Sequence, residues 1–233
     1  MEKLSTLLNQ YYEQFPDRWM EQRYIWKCVQ TFQTYWDINA DDFSSMIAMA
    51  TIDADYLMNA SLYYPREMIV SLAKYEPQEV RKMFEILFDE ERPVNERASV
   101  FNETADRLRS RYKGMCFRRN YQTMNAISTY LWLKYPDKYY FYKYSVGKAV
   151  SSATGIYYAD LRDSEVDKMT KEFSLLDQIS GELRKDNRFR ELLDERLDET
   201  LYSDEQMHCM AIDFSFFIRP CYKNRKQIRS TTK

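Results

Sequence analysis

One stretch, from residue 120 to residue 150, organises the apolar pattern of the chain. Met124, Ile127 and Leu131 form a stripe at helical spacing. A second apolar set widens the stripe beyond one face: Ala126, Tyr130, Trp132 and Leu133. A helix that is apolar on most sides is usually buried at the centre of a domain. Because Pro136 cannot continue the helical ladder, the pattern predicts a buried central helix over 120–133.

Amphipathic helices are predicted before and after this central helix. The first covers about residues 2 to 14, and Pro16 is expected to break it. Later helices each have one apolar face, with these inward residues: Trp26, Val29 and Phe32; Val80, Met83, Phe84 and Leu87; Phe101, Ala105 and Leu108; Met169, Phe173 and Leu176; Phe189, Leu193 and Leu197. No strand pattern alternates with them, so the sequence predicts an all-α domain of roughly eight to ten helices around the central one.

Several helix ends have recognisable signals. Asn39 with Asp42, and Ser164 with Asp167, match the capping box that satisfies the first free amide groups of a helix. Pro65 and Pro77 suit a first helical turn. Glycines at 114 and 155 are natural helix ends.

The segment MHCMAIDFSFFI, residues 207–218, fits two periodicities. Met210, Ile212 and Phe214 alternate as in a strand, whereas the apolar positions also fit a helix. Ser203 with Gln206 supplies a helix-start signal, which favours the helix. A single helical domain is therefore predicted over 1–218. The tail 219–233 is basic, without acidic residues, and is typical of a linker or disordered end.

Composition narrows the functional classes. Four glycines in 233 residues disfavour strand-rich folds, because tight turns need glycine. A net charge of −2 gives no overall attraction to nucleic acid, so any such binding must come from local basic segments. The sequence shows no signal peptide or membrane span, and its four cysteines form no CxxC pair. A cytoplasmic location without membrane association and reduced thiols are expected.

Known catalytic signatures are missing from the sequence. It contains no Walker motif, Rossmann fingerprint, GxSxG elbow or HExxH pair. His208 is the sole histidine. A position in the core explains His208, Cys209 and Cys221 better than metal ligation does. The acidic pieces around residues 194–199 fit a solvated helix face. We expect a non-catalytic chain without cofactor or metal.

Basic and aromatic residues alternate around the central helix, and they form the candidate site. Positive side chains suit phosphate contacts, and aromatic rings suit stacking on an unpaired or flipped base. The candidate DNA-binding residues are Arg118, Arg119, Lys134, Lys138, Tyr139, Tyr140, Tyr142, Lys143, Tyr144 and Lys148. In an extended segment, alternation would turn Tyr140, Tyr142 and Tyr144 to one side, and only one side can face a ligand. The alternative is that the tyrosines pack at the core edge and the lysines only maintain solubility.

Four segments resemble a known family. They are YPREMI (64–69), VRKMFEILFDEERPVNERASVF (80–101), NAISTYLWLKYPDKYYFYKYS (125–145) and HCMAIDFSFFI (208–218). Together they resemble the helical region that precedes the motor in some McrB-like AAA+ proteins of modification-dependent restriction systems. The resemblance implies a DNA-recognition or DNA-positioning module, with an AAA+ motor domain in the same polypeptide and a McrC-like nuclease as partners. It transfers no functional residues.

Two functions therefore remain open from the sequence. The first is a non-catalytic DNA-recognition or DNA-positioning module of a restriction motor subunit. The second is a helical protein-interaction or oligomerisation module, because tyrosine and methionine suit interfaces as well as stacking. An enzyme with an unrecognised site is a third possibility, and it would require a pocket with a strongly perturbed carboxylate or lysine.

Overall fold

A computed structural model describes residues 2–58, 62–112 and 117–220. Over these ranges the chain forms twelve α-helices, a 3-10 turn at Ile52–Ala54 and no strand, which confirms the predicted all-α fold. The helices exceed the expected eight to ten because some, like the four-residue α4, are too short to produce a periodic pattern. Their bounds are α1 Glu2–Gln22, α2 Tyr24–Tyr35, α3 Phe43–Ala50, α4 Asp55–Met58, α5 Pro65–Tyr75, α6 Pro77–Leu87, α7 Val94–Arg111, α8 Met124–Lys134, α9 Tyr144–Thr154, α10 Glu165–Lys185, α11 Asn187–Asp194 and α12 His208–Ile218.

Helix α1 does not end at Pro16, so that prediction is wrong. It continues to Gln22, and its buried residues keep one helical face on both sides of the proline: Leu4, Leu8, Tyr11, Phe15 and Trp19. Pro16 lies on the exposed face, where water can hydrate the carbonyl that loses its amide partner. Packing of the buried face outweighs the local cost of the proline.

The predicted central helix is α8, which begins at Met124 and not near residue 120, and it is buried on all sides. Met124 and every residue from Ala126 to Leu133 are buried, and α8 packs against α2, α4, α7 and α10. The ambiguous segment near the C-terminus is a second such helix, α12. Every residue from His208 to Phe216 is buried, and α12 packs against α1, α2, α9 and α10. The core is therefore built around two helices.

A buried carboxylate starts α12, one position after Ser203. Asp204 accepts hydrogen bonds from the amides of Cys209 (3.0 Å) and Met210 (2.9 Å) and from the indole of Trp26 (3.2 Å). The predicted Ser203 signal therefore identified the helix but not its cap. Similarly, α3 is capped by Asp42, which accepts from the Ser45 amide, and not by Asn39. The predicted starts of α5, α6 and α10 and the glycine end of α9 are confirmed.

Further expectations concern membrane association, the cysteine thiols, the helix end at Gly114 and the C-terminal tail. None of the described helices is long and apolar enough to cross a membrane. Cys28 and Cys209 are buried free thiols, whereas Cys116, Cys221, Gly114 and the residues after Pro220 lie outside the described ranges.

Candidate nucleic-acid interface

The aromatic segment after α8 turns back and runs alongside that helix. The backbone amide of Tyr142 donates to the Ser128 hydroxyl (3.0 Å), and the side-chain amide of Asn125 donates to the backbone carbonyl of Tyr142 (2.6 Å). Tyr142 therefore lies beside the first turn of α8, whereas Lys134 ends the helix. Eleven residues of helix span about 15 Å, so the candidate residues are divided between two ends of α8.

The far end of α8 holds an ionic network with a structural role. Arg97 is buried and donates to the Tyr139 hydroxyl (2.7 Å) and to Glu90 (2.6 Å), and Lys138 also pairs with Glu90. Burial would raise the pKa of Glu90, but bonds from Lys138, Tyr139 and Arg97 outweigh it and hold that pKa below its usual value. Lys134 lies near the Tyr135 ring, away from this network. Lys138 and Tyr139 are thus already paired.

The expected exposure of one tyrosine set is wrong. Tyr139, Tyr140 and Tyr142 are 5%, 0% and 3% exposed, so neither alternate side of the segment presents an open ring. The segment is covered because α10 packs on the side opposite α8: Tyr140 bonds to Asp177 (2.8 Å) and Tyr142 to Glu165 (3.2 Å). In this structure these three rings are not available for base stacking, and only the half-buried Tyr144 retains that potential.

A groove lies at the first turn of α8, where several candidate residues meet. It has a volume of about 620 Å³, and Asn102, Met124, Tyr142, Lys143 and Glu165 are among its lining residues. The groove is also lined by Tyr63, Thr123, Asn125 and Tyr144. The sequence reasoning missed Tyr63 and Asn102, which come from other elements, and Asn125, a polar residue in the first turn of α8 that matches no motif.

Tyr63 and Tyr144 supply the aromatic walls of the groove. The Tyr63 hydroxyl donates to Asn125 (3.1 Å) and lies 2.9 Å from the Thr123 hydroxyl, which fixes its ring at one side. Burial raises the pKa of Tyr63 to about 12, so its hydroxyl stays protonated. Tyr144 begins α9 and packs against Tyr158. Both rings are half-buried and keep exposed surface.

Basic residues lie close to the two aromatic walls, through ring contacts or by position in the chain. Arg119 donates to the Leu62 carbonyl (2.7 Å) and lies over the Tyr121 ring, which in turn contacts Tyr63. Arg118 is exposed beside it, and Lys148 is exposed one turn after Tyr144 on α9. Across the described ranges, no carboxylate lies within 4.0 Å of Arg118, Arg119 or Lys148. Their charges are thus open to an anion.

A buried carboxylate, which no sequence motif indicates, lies behind the groove wall. Glu172 is 1% exposed and accepts from the Lys143 amide (3.1 Å) and the Tyr158 hydroxyl (2.9 Å). The Tyr142 hydroxyl donates instead to Glu165 at the groove (3.2 Å). Burial raises the pKa of Glu172 to about 7, although both direct donors lower it.

Gly147 packs directly on this carboxylate, which predicts a pair of contrasting variants. A Cβ at 147 would lie 2.7 Å from Cδ of Glu172 and 3.0 Å from Cζ of Tyr158. Overpacking should therefore outweigh the gain in helix propensity, and Gly147→Ala is expected to lower the free energy of unfolding by about 1–2 kcal/mol. Gly181→Ala is the matched control: no atom lies within 4 Å of its Cβ, and we expect a gain of about 1 kcal/mol. Urea denaturation measures both, and equal effects would contradict the close packing at Gly147.

Other parts of the described structure are weaker candidates for a functional site. A second cavity of about 670 Å³ lies among α1, α10 and α11, but its two basic rim residues are paired, Lys185 with Glu182 and Arg188 with Asp186. No group of three His, Cys, Asp or Glu side chains in the described ranges is arranged to hold a metal ion. His208 instead stacks on Tyr140 at 4.1 Å between ring centroids.

Comparisons with known proteins add no relative. Neither protein-family models, nor curated proteins, nor solved structures give a match to this chain.

Proposed function

We propose that this chain is a non-catalytic DNA-binding module that holds an unpaired or single-stranded segment in the groove. The observation that supports it most is the meeting of two half-buried tyrosine rings at one groove, with Arg119 near the Tyr63 wall and Lys148 one turn after Tyr144. Phosphates would contact Arg118, Arg119 and Lys148, and a base would stack on Tyr63 or Tyr144. Lys134 and Lys138, at the other end of α8, have no part in this site.

The finer proposal is that the module positions DNA for an AAA+ motor in the same polypeptide and for a McrC-like nuclease. It rests on the four resembling sequence segments alone. The reading frame downstream of Lys233 tests it, because a Walker motif there would supply the motor. A downstream frame without one would contradict this finer proposal and leave DNA binding by the groove to be tested separately.

Removing two groove charges tests the DNA-binding proposal. We expect Arg118→Ala with Lys148→Ala to weaken binding of a single-stranded oligonucleotide about tenfold at low salt. Each phosphate contact that is lost means that fewer counterions are released on binding. The plot of log affinity against log salt should therefore become less steep, by about 1.4 for the two contacts. Fluorescence anisotropy over a salt series, with methylated and unmethylated duplexes beside the single strand, measures both quantities.

The matched control removes the same charge elsewhere. Lys74 and Lys82 are exposed, do not line the groove, and have no carboxylate within 4.0 Å in the described part of the chain. Lys74→Ala with Lys82→Ala should leave affinity nearly unchanged. Equal losses in both double variants would mean that only net charge matters. Absence of binding by the wild-type protein at low salt would overturn the proposal.

A specific observation also favours the interaction module as a second candidate. Met20, Ile52 and Tyr56 are 72%, 49% and 66% exposed, and the Tyr56 ring contacts Tyr24 at 5.7 Å between centroids. Exposed aromatic and methionine side chains are enriched at protein interfaces. Light scattering after size-exclusion chromatography without DNA distinguishes the two, since a stable oligomer would favour the interaction module.

A further inference from the structure

Glu172 supports two residues of the groove wall, Lys143 directly and Tyr144 through Tyr158. Its carboxylate accepts from the Lys143 amide, and Lys143 itself lines the groove. It also accepts from the Tyr158 hydroxyl, and the Tyr158 ring supports Tyr144 at 5.9 Å between centroids. Gly147, one turn into α9, packs against the same carboxylate. The geometry of Lys143 and Tyr144 thus depends on a group that the ligand itself would not touch.

Among the residues that the structure describes, no Lys, Arg or His side-chain nitrogen lies within 4.0 Å of the Glu172 carboxyl group. On its own helix the nearest charges along the same side are Glu165 and Lys168, and these pair with each other at 2.8 Å. From the start of α9 comes the Lys143 amide, and from the α9–α10 loop comes the Tyr158 hydroxyl. The other helices that pack on α10 direct their titratable groups to other partners. These are Arg97 of α7 to Tyr139, Tyr130 and Lys134 of α8 to Gln122 and Tyr135, His208 of α12 to Tyr140, and Arg188 of α11 to Asp186.

We propose that Glu172 is a positioning residue of the groove and that binding of a polyanionic oligonucleotide there takes up a proton onto Glu172. This inference rests on the proposed DNA binding. A phosphate chain in the groove adds negative charge just beyond the Lys143 backbone, which disfavours a second negative charge behind the wall. By linkage, the bound state favours the protonated carboxyl group, and the proton comes from solvent. The neutral carboxyl group still accepts from the Lys143 amide, so the wall keeps its shape.

Two measurements on wild type and Glu172→Gln test the proposal. The probe is a twelve-nucleotide single strand with a pH-insensitive dye, titrated at fixed salt between pH 6 and pH 8.5. We expect the wild-type affinity to fall about fivefold across this range, a modest coupling. Glu172→Gln, which is neutral and keeps an acceptor for the Lys143 amide, should hold the affinity of the protonated wild type at every pH. Calorimetry at pH 7 in two buffers of different ionisation enthalpy should show proton uptake for wild type only.

Each outcome decides between the inference and the proposed function. Binding that is independent of pH in wild type, or equally dependent in both proteins, would overturn the proton linkage while leaving DNA binding intact. No binding at any pH would instead defeat the proposed function, and the Arg118 and Lys148 variants report on it separately. Glu172→Ala serves as a further check: loss of affinity at all pH values, rescued by Glu172→Gln, identifies the positioning role.

Discussion

Replacing Asp204 with alanine is expected to lower the free energy of unfolding by about 4 kcal/mol. The carboxylate is fully buried and accepts from Cys209, Met210 and Trp26, so its loss leaves three buried donors without a partner. Each orphaned donor costs about 1–3 kcal/mol, with water entry reducing the sum. The affected amides begin α12, one of the two helices at the centre of the core, so the damage is not confined to a loop.

Urea denaturation at pH 6, followed by tryptophan fluorescence and helical circular dichroism, measures this effect. Burial raises the pKa of Asp204 to about 7, so most of the side chain is neutral at pH 6. Removing it at this pH therefore does not also remove the cost of a buried charge, which would partly mask the loss of the hydrogen bonds. Asp198→Ala removes an exposed carboxylate from the same connection between α11 and α12 and should cost less than 1 kcal/mol.

A glycine variant at position 204 distinguishes the cost of backbone strain from the cost of the lost hydrogen bonds. Asp204 has φ of +52°, a conformation that alanine tolerates poorly and glycine readily. Asp204→Gly should still lose at least about 2 kcal/mol, because the three donors remain orphaned. Near-wild-type stability of the glycine variant would contradict the capping role and assign the alanine effect to strain.

Asp204 also shows what the sequence could and could not predict. The apolar periodicity over 207–218 identified α12, and the same reasoning identified α8 as a buried helix, because both depend on side-chain spacing along one segment. The cap of α12 depends on Trp26, which is far away in sequence. Likewise Pro16 was expected to stop α1, since local preference ignores the packing of Phe15 and Trp19.

The candidate site was predicted only in part, for a similar reason. The predicted alternation along 139–144 assumes that one side of the segment faces solvent. Here α10 covers that side, which buries Tyr140 and Tyr142 and leaves Tyr144 at the groove. The opposite groove wall, with Tyr63, comes from a chain segment with no basic or aromatic repeat. Its contribution emerges only from tertiary packing.

Glutamine at position 172 is expected to stabilise the protein at alkaline pH by about 3 kcal/mol. The pKa of Glu172 is raised from 4.5 to about 7 because burial disfavours its charged form. Between these two values the folded state holds a proton that the unfolded state has released, so stability falls as pH rises through this window. A shift of this size corresponds to about 3 kcal/mol between pH 5 and pH 8.

A denaturation series at pH 5, 6, 7 and 8 checks this prediction. The stability difference between Glu172→Gln and wild type should be near zero at pH 5 and grow until pH 8. Asp204 has a pKa raised in the same range and titrates in both proteins, so its share cancels in the difference. Glu85→Gln, which changes an exposed carboxylate, should show no such growth. A constant difference between Glu172→Gln and wild type would mean that Glu172 keeps its charge throughout, and that solvent or an unrecognised cation reaches the carboxylate behind the groove wall.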